Sequence, residues 1–249
     1  MAKIFDLMRE LADRARYLIF VPRCASCRKH VEPDEFGKHT PFCRECHEKW
    51  LTEISRPCPK CGRPIGECIC GIPADKNLRI DSEIHLATYN IPGGSAKGIV
   101  LTAKKRNFRH IFDFLINSMS ELIQNNFDIN EKTVLTYVPR NPGKYRRIGH
   151  DQSRIIACGV SEKTGVPLIE FIRHSKGGKQ QKTLDFSERR RNARLSYELN
   201  EKNKKYIRGR EIILFDDTIT TGWTMVRCAS LLKQAGASKV YALSITKNV

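Results

Sequence analysis

The chain has 249 residues, of which 40% are hydrophobic, and a formal net charge of +17. This composition argues against wholesale disorder, and no apolar run reaches the roughly 18–20 residues that a membrane-spanning helix needs. Much of the charge is concentrated in residues 173–210, which hold 13 basic and 4 acidic residues. Such a concentration of positive charge favours binding of phosphates, nucleotides or nucleic acid. The alternative is a solvated basic surface that has no specific partner.

Residues 1–20 are predicted to form an amphipathic helix. Its apolar face comprises Ile4, Leu7, Met8, Leu11, Ala15 and Leu18. Charged residues such as Arg9 and Asp13 interrupt the apolar core that a signal peptide would need. We therefore expect a cytoplasmic protein without membrane insertion.

Residues 21–76 hold eight of the ten cysteines and are predicted to form a zinc-binding module. The pairs are Cys24-x2-Cys27, Cys43-x2-Cys46, Cys58-x2-Cys61 and Cys68-x-Cys70. A reducing cytoplasm disfavours disulfides, and a two-residue gap lets both thiolates of a pair reach one tetrahedral ion. Such zinc is ordinarily a structural staple, which a segment this poor in apolar residues needs in order to fold.

Two pairings of these cysteines remain open. Sequential pairing places Cys24, Cys27, Cys43 and Cys46 in one site and Cys58, Cys61, Cys68 and Cys70 in another, whereas a cross-braced pairing interleaves them. We favour the sequential pairing because each half has a spacing that suits a zinc ribbon. A single filled site is a further possibility.

Residues 77–249 are predicted to form an α/β domain. The predicted strands cover residues 85–90, 133–138, 168–172, 211–215 and 239–245, and the predicted helices cover residues 95–106, 109–125, 151–163, 187–194 and 221–235. Alternation of strands with helices predicts a parallel sheet with helices on both faces. Ligands bind such sheets at the carboxyl ends of the strands.

Residues 211–224 (EIILFDDTITTGWT) carry the strongest functional signal. Asp216 and Asp217 follow an apolar strand, and adjacent carboxylates there can accept hydrogen bonds from ribose hydroxyls. Threonine hydroxyls, successive backbone N–H groups and the positive end of the next helix can bind a 5-phosphate, and glycine allows close approach. The predicted phosphate-binding residues are Thr218, Ile219, Thr220, Thr221, Gly222 and Thr224.

This pattern of four hydrophobic residues, two acidic residues and a Thr/Gly-rich turn resembles the thirteen-residue PRPP-binding motif of type I phosphoribosyltransferases. Residues 137–140 (YVPR) and 146–152 (RRIGHDQ) resemble the "VP…RGFNQ" segment of the ComF family, whose members also carry an N-terminal zinc module. Residues 179–192 (KQQKTLDFSERRRN) and 104–106 (KKR) resemble two further ComF segments. The chain departs from the family at Ile148, His150 and Asp151, where ComF proteins have Arg, Phe and Asn.

The resemblance implies a type I phosphoribosyltransferase fold that binds PRPP with Mg2+. It implies that Asp216 and Asp217 hold the ribose as the catalytic pair and that Val138, Pro139 and Arg140 lie beside the pyrophosphate. The reaction it implies transfers the phosphoribosyl group to an acceptor with release of pyrophosphate. It also implies a link to competence for DNA uptake. Residues 176–182 could form a mobile lid or an ordinary solvated loop.

Two other functions fit the same sequence. One is a non-catalytic module that binds single-stranded DNA alongside competence proteins, because residues 173–210 also carry Phe186, Tyr197 and Tyr206, which could stack on bases. The other is a regulator that senses PRPP. The motif argues for ligand binding in each case, and the basic field favours DNA.

Overall fold

The computed structural model describes residues 22–31, 40–58, 62, 80–175 and 196–248. Some sequence predictions fall outside these residues. They are the helices over residues 1–20 and 187–194, the basic loop 176–182, the aromatic residue Phe186, and the cysteines Cys61, Cys68 and Cys70.

The described residues form six helices and six strands. In chain order they are α1 Arg44–Ser55, β1 Ser82–Thr88, α2 Ala96–Lys105, α3 Arg109–Asn126, β2 Thr133–Tyr137, α4 Pro142–Ile148, α5 Gln152–Thr164, β3 Ile172–His174, β4 Tyr197–Leu199, β5 Glu211–Ile219, α6 Trp223–Gln234 and β6 Lys239–Lys247. A 3₁₀ turn covers Lys204–Tyr206.

Four strands form a parallel sheet in the order β1-β6-β5-β2. The two central strands alternate between two apolar layers, as a sheet covered on both faces requires. Ile213 and Phe215 of β5 join the layer under α2, α3 and α5. Ile212 and Leu214 join the layer under α6. The predicted α/β class, a parallel sheet flanked by helices, is therefore confirmed.

The cysteine module packs on the sheet domain and shares its core. Trp50 of α1 is 2% exposed and belongs to the same apolar cluster as the sheet. Its ring lies 5.7 Å from that of Phe114 in α3, and Phe42 contacts both rings. The predicted small module preceding the α/β domain is thus present, but it has no separate core among the described residues.

Several element bounds differ from the sequence predictions. β5 continues to Ile219, four residues beyond its predicted end, because it pairs with β6 as far as Lys247. The predicted strand over residues 168–172 is a single parallel bridge from Leu168 to Leu135, and β3 begins only at Ile172. The short helix α4, which buries no residue, gave no periodic signal.

A buried ionic cluster lies where β1 pairs with β6. Lys247 Nζ lies 2.8 Å from Glu83 Oε1, and His85 Nδ1 lies 3.6 Å from the same oxygen; none of the three side chains is exposed. Burial raises the pKa of Glu83 to about 7, although Lys247 works against this. Burial, and then the charge of Lys247, lowers the pKa of His85 to about 3, so its imidazole is neutral at neutral pH.

In the described part of the chain, no helix combines the length and the apolar character that crossing a membrane requires.

Candidate ligand-binding site

Asp216 and Asp217 lie within the last part of β5, rather than in a turn after it. Asp217 is 5% exposed, and Asp216 is half-buried. The backbone N–H of Asp217 donates to Asp216 Oδ1 at 2.8 Å. The two carboxylates therefore sit at the carboxyl end of a central strand, the position at which parallel sheets bind ligands.

Lys104, the penultimate residue of α2, reaches this pair from another helix. Its Nζ lies 3.1 Å from Asp217 Oδ1 and donates to Thr218 Oγ1 at 3.2 Å. Gln152 at the start of α5 donates its Nε2 to Asp217 Oδ2. Both oxygens of Asp217 are thus held, which fixes this carboxylate in one orientation.

The two carboxylates differ in their electrostatics. Burial, and then the charge of Asp217, raises the pKa of Asp216 well above its usual value; Lys104 acts in the opposite direction. Burial and a neighbouring negative charge both disfavour the ionised form of Asp216. A cation or a ligand hydroxyl beside Asp216 would relieve this repulsion.

The turn from Thr220 to Gly222 connects β5 to α6 and presents backbone N–H groups. Gly222 has φ = +75°, a left-handed conformation that glycine adopts without strain. It is the N-cap of α6, and no described side chain caps this helix. The first N–H groups of α6 lack intrahelical acceptors and carry the positive end of the helix dipole.

The predicted phosphate-binding side chains differ in accessibility. Thr220 is exposed, and Thr218, Thr221 and Thr224 are half-buried. Ile219 is 2% exposed and packs in the core layer under α6, so only its backbone can face a ligand. The turn can therefore offer hydroxyl and N–H donors together to one anion.

The predicted pyrophosphate segment lies beside the carboxylates because β2 pairs with β5. The Val138 N–H donates to Phe215 O at 2.8 Å, one residue before Asp216. The Arg140 guanidinium donates to His150 O at 2.9 Å and to Lys104 O at 2.7 Å. Pro139 and Arg140 are half-buried. In this structure Arg140 therefore ties its loop to the end of α2.

Asp151 fixes the other side of this loop. Its Oδ2 accepts from the Arg140 N–H at 2.7 Å, and its Oδ1 accepts from Ser153 N at 3.0 Å as the N-cap of α5. One carboxylate thus orders both the segment after β2 and the helix that delivers Gln152.

The β3–β4 ribbon borders the site on the side of α6. The rings of His174 and Tyr197 lie 4.6 Å apart. Arg227 of α6 donates to Tyr197 O at 3.3 Å, which anchors β4 to the helix. Burial raises the pKa of Tyr197, and the nearby charges of Cys228 and Asp216 act in the same direction. Tyr197 is therefore partly enclosed and is a weaker candidate for base stacking than the sequence suggested.

The first cysteine set converges on one point. The Sγ atoms of Cys24, Cys27, Cys43 and Cys46 all lie within 4.8 Å of one another. Four thiolates at this separation suit a tetrahedral zinc ion. Burial, and then neighbouring thiols, raises the pKa of Cys46 to about 12. A metal ion bonded to its sulfur would favour the thiolate instead. These are the four cysteines that the sequential pairing places in its first site. Of the second set, Cys58 is buried.

Two site residues were missing from the sequence prediction of the site. Lys104 lies 113 positions before Asp217, and Gln152 lies 65 positions before it. A lysine in the last turn of a helix is commonly explained by the helix dipole alone. Their only sequence signal is their position in segments 104–106 and 146–152, which resemble ComF segments.

Comparison with known proteins gives partial similarities. No protein-family model matches the chain. A 35-residue stretch is 49% identical to ribose-phosphate pyrophosphokinase of Thermococcus kodakarensis, covering 14% of this chain and 12% of that enzyme. The chain therefore spans only a small part of this curated relative.

Phosphoribosyltransferases recur among the similar solved structures. Glutamine phosphoribosylpyrophosphate amidotransferase from B. subtilis, complexed with ADP and GMP, is 18% identical with a TM-score of 0.40; 58% of this chain and 30% of that one are covered. Adenine phosphoribosyl transferase from Trypanosoma brucei, in complex with AMP, pyrophosphate and ribose-5-phosphate, is 15% identical with a TM-score of 0.35; 55% and 52% are covered.

Proposed function

We propose that the carboxyl end of β5 binds PRPP or a related ribose phosphate with Mg2+, and that the chain is a phosphoribosyltransferase-like member of the ComF family. One observation carries the proposal. Two adjacent carboxylates, Asp216 and Asp217, meet a lysine from α2 and the uncapped N-terminus of α6 at the end of one strand. Carboxylates suit sugar hydroxyls and Mg2+, and the lysine and N–H groups suit phosphate.

The residues divide into three roles in this proposal. Asp216 and Asp217 hold the ribose hydroxyls, and residues 218–224 hold the 5-phosphate through hydroxyl and backbone donors. Val138, Pro139 and Arg140 border the pyrophosphate. Mg2+ would supply charge neutralisation between the carboxylates and the pyrophosphate oxygens.

The same proposal includes a cytoplasmic location and a division of the chain into three parts, residues 1–20, 21–76 and 77–249.

The chemistry that follows is transfer of the phosphoribosyl group to an acceptor. The carbon–oxygen bond to pyrophosphate breaks, pyrophosphate leaves with that electron pair, and the acceptor forms a new bond to the ribose. Catalysis of this type depends mainly on positioning and on stabilising charge, since the ribose becomes cation-like as the bond breaks. A rigid carboxylate such as Asp217 beside the sugar suits that requirement.

Isothermal titration calorimetry with PRPP and Mg2+ tests the binding site. The variant Asp216→Asn/Asp217→Asn is expected to bind about 100-fold more weakly, the ratio that about 2.7 kcal/mol gives. Asp128→Asn, at an exposed carboxylate, is the matched control and is expected to bind as wild type does. Unchanged binding by the double variant would show that the site is misassigned.

Release of pyrophosphate then separates an enzyme from a sensor. Wild-type protein is supplied with PRPP, Mg2+ and candidate acceptors from the nucleobases and amines, and pyrophosphate is measured over time. Acceptor-dependent release that disappears in the double Asp variant supports transfer. Tight PRPP binding with no release for any acceptor supports the regulator instead.

A second candidate function, binding of single-stranded DNA with competence proteins as partners, is favoured by exposed aromatic residues on α4 and in the 3₁₀ turn. Tyr145 on α4 is 49% exposed and stands between exposed Lys144 and Arg146. Tyr206 is 47% exposed, with Lys205 Nζ 4.9 Å from its ring centroid. Exposed aromatic rings beside basic side chains suit bases and phosphates of a single strand.

Fluorescence anisotropy with a labelled oligothymidine tests this second function. Its affinity is expected to fall steeply between 50 and 200 mM salt, as counterion release requires. Tyr145→Ala is expected to weaken binding of the oligonucleotide and to leave PRPP binding unchanged. If the affinity for the oligonucleotide changes neither with salt nor with this substitution, the proposed binding of single-stranded DNA is refuted.

A further inference from the structure

Helix α2 connects the cysteine cluster to the candidate ligand site. Its N-terminus is held by the cysteine module through buried contacts. Glu53 of α1 accepts the backbone N–H of Ser95 and, at 2.8 Å, that of Ala96. Ser95 Oγ donates to Cys46 O at 2.8 Å. A metal-binding cysteine and a carboxylate from the same helix therefore fix where α2 begins.

The first two turns of α2 lie directly against the loop between Cys24 and Cys27. A Cβ added at Gly98 would lie 2.5 Å from Ser26 Cα and 2.9 Å from Ala25 O. One turn further along, Thr102 Oγ1 donates to Ala25 O at 3.1 Å. The loop backbone and the helix backbone are thus in close contact, so a displacement of the loop would remove contacts that hold the helix.

The far end of α2 enters the ligand site. Lys104 Nζ contacts Asp217 and Thr218, and Lys104 O accepts from Arg140. The lysine side chain is 29% exposed, so an incoming phosphate can reach its ammonium group. A ten-residue helix is about 15 Å long and moves as a unit, so a shift at the cysteine loop is carried to this end.

We propose that metal binding by Cys24, Cys27, Cys43 and Cys46 sets the affinity of the ligand site for a phosphorylated sugar, through the placement of Lys104 by α2. Lys104 is the contacting residue and supplies positive charge to the phosphate beside Thr218. The cysteine loop is the positioning element. The inference rests on the proposed function, since it concerns the same site and ligand.

The physical basis is the ordering of the cysteine loop by the bound ion. The four sulfur atoms lie within 4.8 Å of one another, and without an ion bonded to all four the loop loses what holds its cysteines together. Ala25 and Ser26 then no longer brace α2, and Lys104 is free to leave Asp217. By thermodynamic linkage, a ligand that is bound more tightly by the metal-loaded protein also tightens metal binding by the same factor.

The test compares PRPP binding by zinc-loaded and chelator-treated protein, measured by calorimetry in the presence of Mg2+. Removal of zinc is expected to weaken PRPP binding by wild type about tenfold, the ratio given by a coupling free energy of about 1.4 kcal/mol. Lys104→Met is expected to bind about tenfold more weakly with zinc and to respond no further to its removal. Lys105→Met, one residue on and exposed, is expected to behave as wild type in both states. Lys104→Arg keeps the positive charge and should retain part of the dependence on zinc.

A reciprocal measurement covers the case in which the stripped protein unfolds. The equilibrium distribution of zinc between folded protein and a chromophoric chelator is measured with and without saturating PRPP. The ligand is expected to raise the affinity for zinc about tenfold in wild type and Lys105→Met, and to leave it unchanged in Lys104→Met.

The outcomes separate the two proposals. If zinc-loaded wild type binds no PRPP, the proposed function fails. If it binds PRPP, but the affinity for PRPP does not depend on zinc and the affinity for zinc does not depend on PRPP, the coupling is refuted while the proposed function stands. If the dependence on zinc persists unchanged in Lys104→Met, the coupling does not act through this lysine and the inference is overturned.

Discussion

Gly98 offers a sharp stability test of how α2 meets the cysteine loop. Replacing glycine by alanine inside a helix ordinarily stabilises it by about 1 kcal/mol. At Gly98, however, the new methyl group would lie 2.5 Å from Ser26 Cα and 2.9 Å from Ala25 O. Both atoms are backbone and cannot rotate away, so overpacking of about 1–3 kcal/mol opposes the gain. Because both distances are below 3.0 Å, we expect a cost in the upper part of that range, so that Gly98→Ala lowers the free energy of unfolding by about 1–2 kcal/mol.

Gly159 in α5 provides the matched control. The three heavy atoms nearest to a Cβ there all belong to the half-buried side chain of Ile116, whose χ angles can shift by about 30° at a cost of about 0.5–1.5 kcal/mol. Gain and cost nearly cancel, so Gly159→Ala is expected to be about as stable as wild type. The two variants make the same chemical change in the same type of element, and they differ in what the methyl group meets.

Urea denaturation of zinc-loaded protein, followed by circular dichroism, measures both variants. A loss of 1 kcal/mol corresponds to a fall in Tm of roughly 2–4 °C for a chain of this size. Competition with a chelator should also release zinc faster from Gly98→Ala than from Gly159→Ala. If Gly98→Ala is as stable as wild type and holds zinc equally well, the close contact between helix and loop is refuted.

Three further predictions follow from buried carboxyl and imidazole groups. Glu53→Gln, which weakens the acceptor for the Ala96 N–H, should cost about 1–2 kcal/mol in urea denaturation, whereas exposed Glu48→Gln should cost nothing measurable; equal losses would argue against this contact. The pKa of His85 is lowered from 6.5 to about 3, so its stabilising contribution is complete above pH 6.5 and is lost as pH falls towards 3. As pH falls over that range, the free energy of unfolding of His85→Gln should therefore rise relative to that of wild type by about 1.4 kcal/mol per pH unit. A difference between the two proteins that stays constant with pH would refute the lowered pKa of His85. Because the raised pKa of Asp216 favours its neutral form, affinity for PRPP with Mg2+ should increase as pH rises, and it should increase less in Asp216→Asn; an equal increase in both proteins would contradict the assignment.

Local sequence patterns predicted the parts of the fold that depend on local physics. The apolar run before Asp216 indicated a buried strand, and the alternation of strands and helices indicated the parallel sheet that the structure contains. The cysteine spacing indicated that Cys24 and Cys27 reach one ion together, and it favoured without settling the pairing with Cys43 and Cys46 that the structure shows. In each case a short segment contains the physical reason for its own structure.

The contacts that complete the site are long-range and carry no such local reason. Lys104 meets Asp217 only because α2 and β5 are brought together by the packing of the layer between them. Gln152 reaches the same carboxylate because Asp151 caps its helix at that point. Pairing with β6 likewise extended β5 past its apolar run, and one sequence cannot show which distant strand provides the partner.

The shared core of the cysteine module and the sheet domain limits how the chain can be divided. Trp50 packs against Phe114, and Ala25 lies against α2. A shortened chain beginning at residue 77 would leave Phe114 and the surface around Gly98 uncovered, so it should aggregate rather than behave as an independent domain. A cysteine module from another protein would need a loop of matching shape to lie on that glycine. The two parts are therefore expected to have changed together in evolution, and neither would serve as an exchangeable unit in domain shuffling.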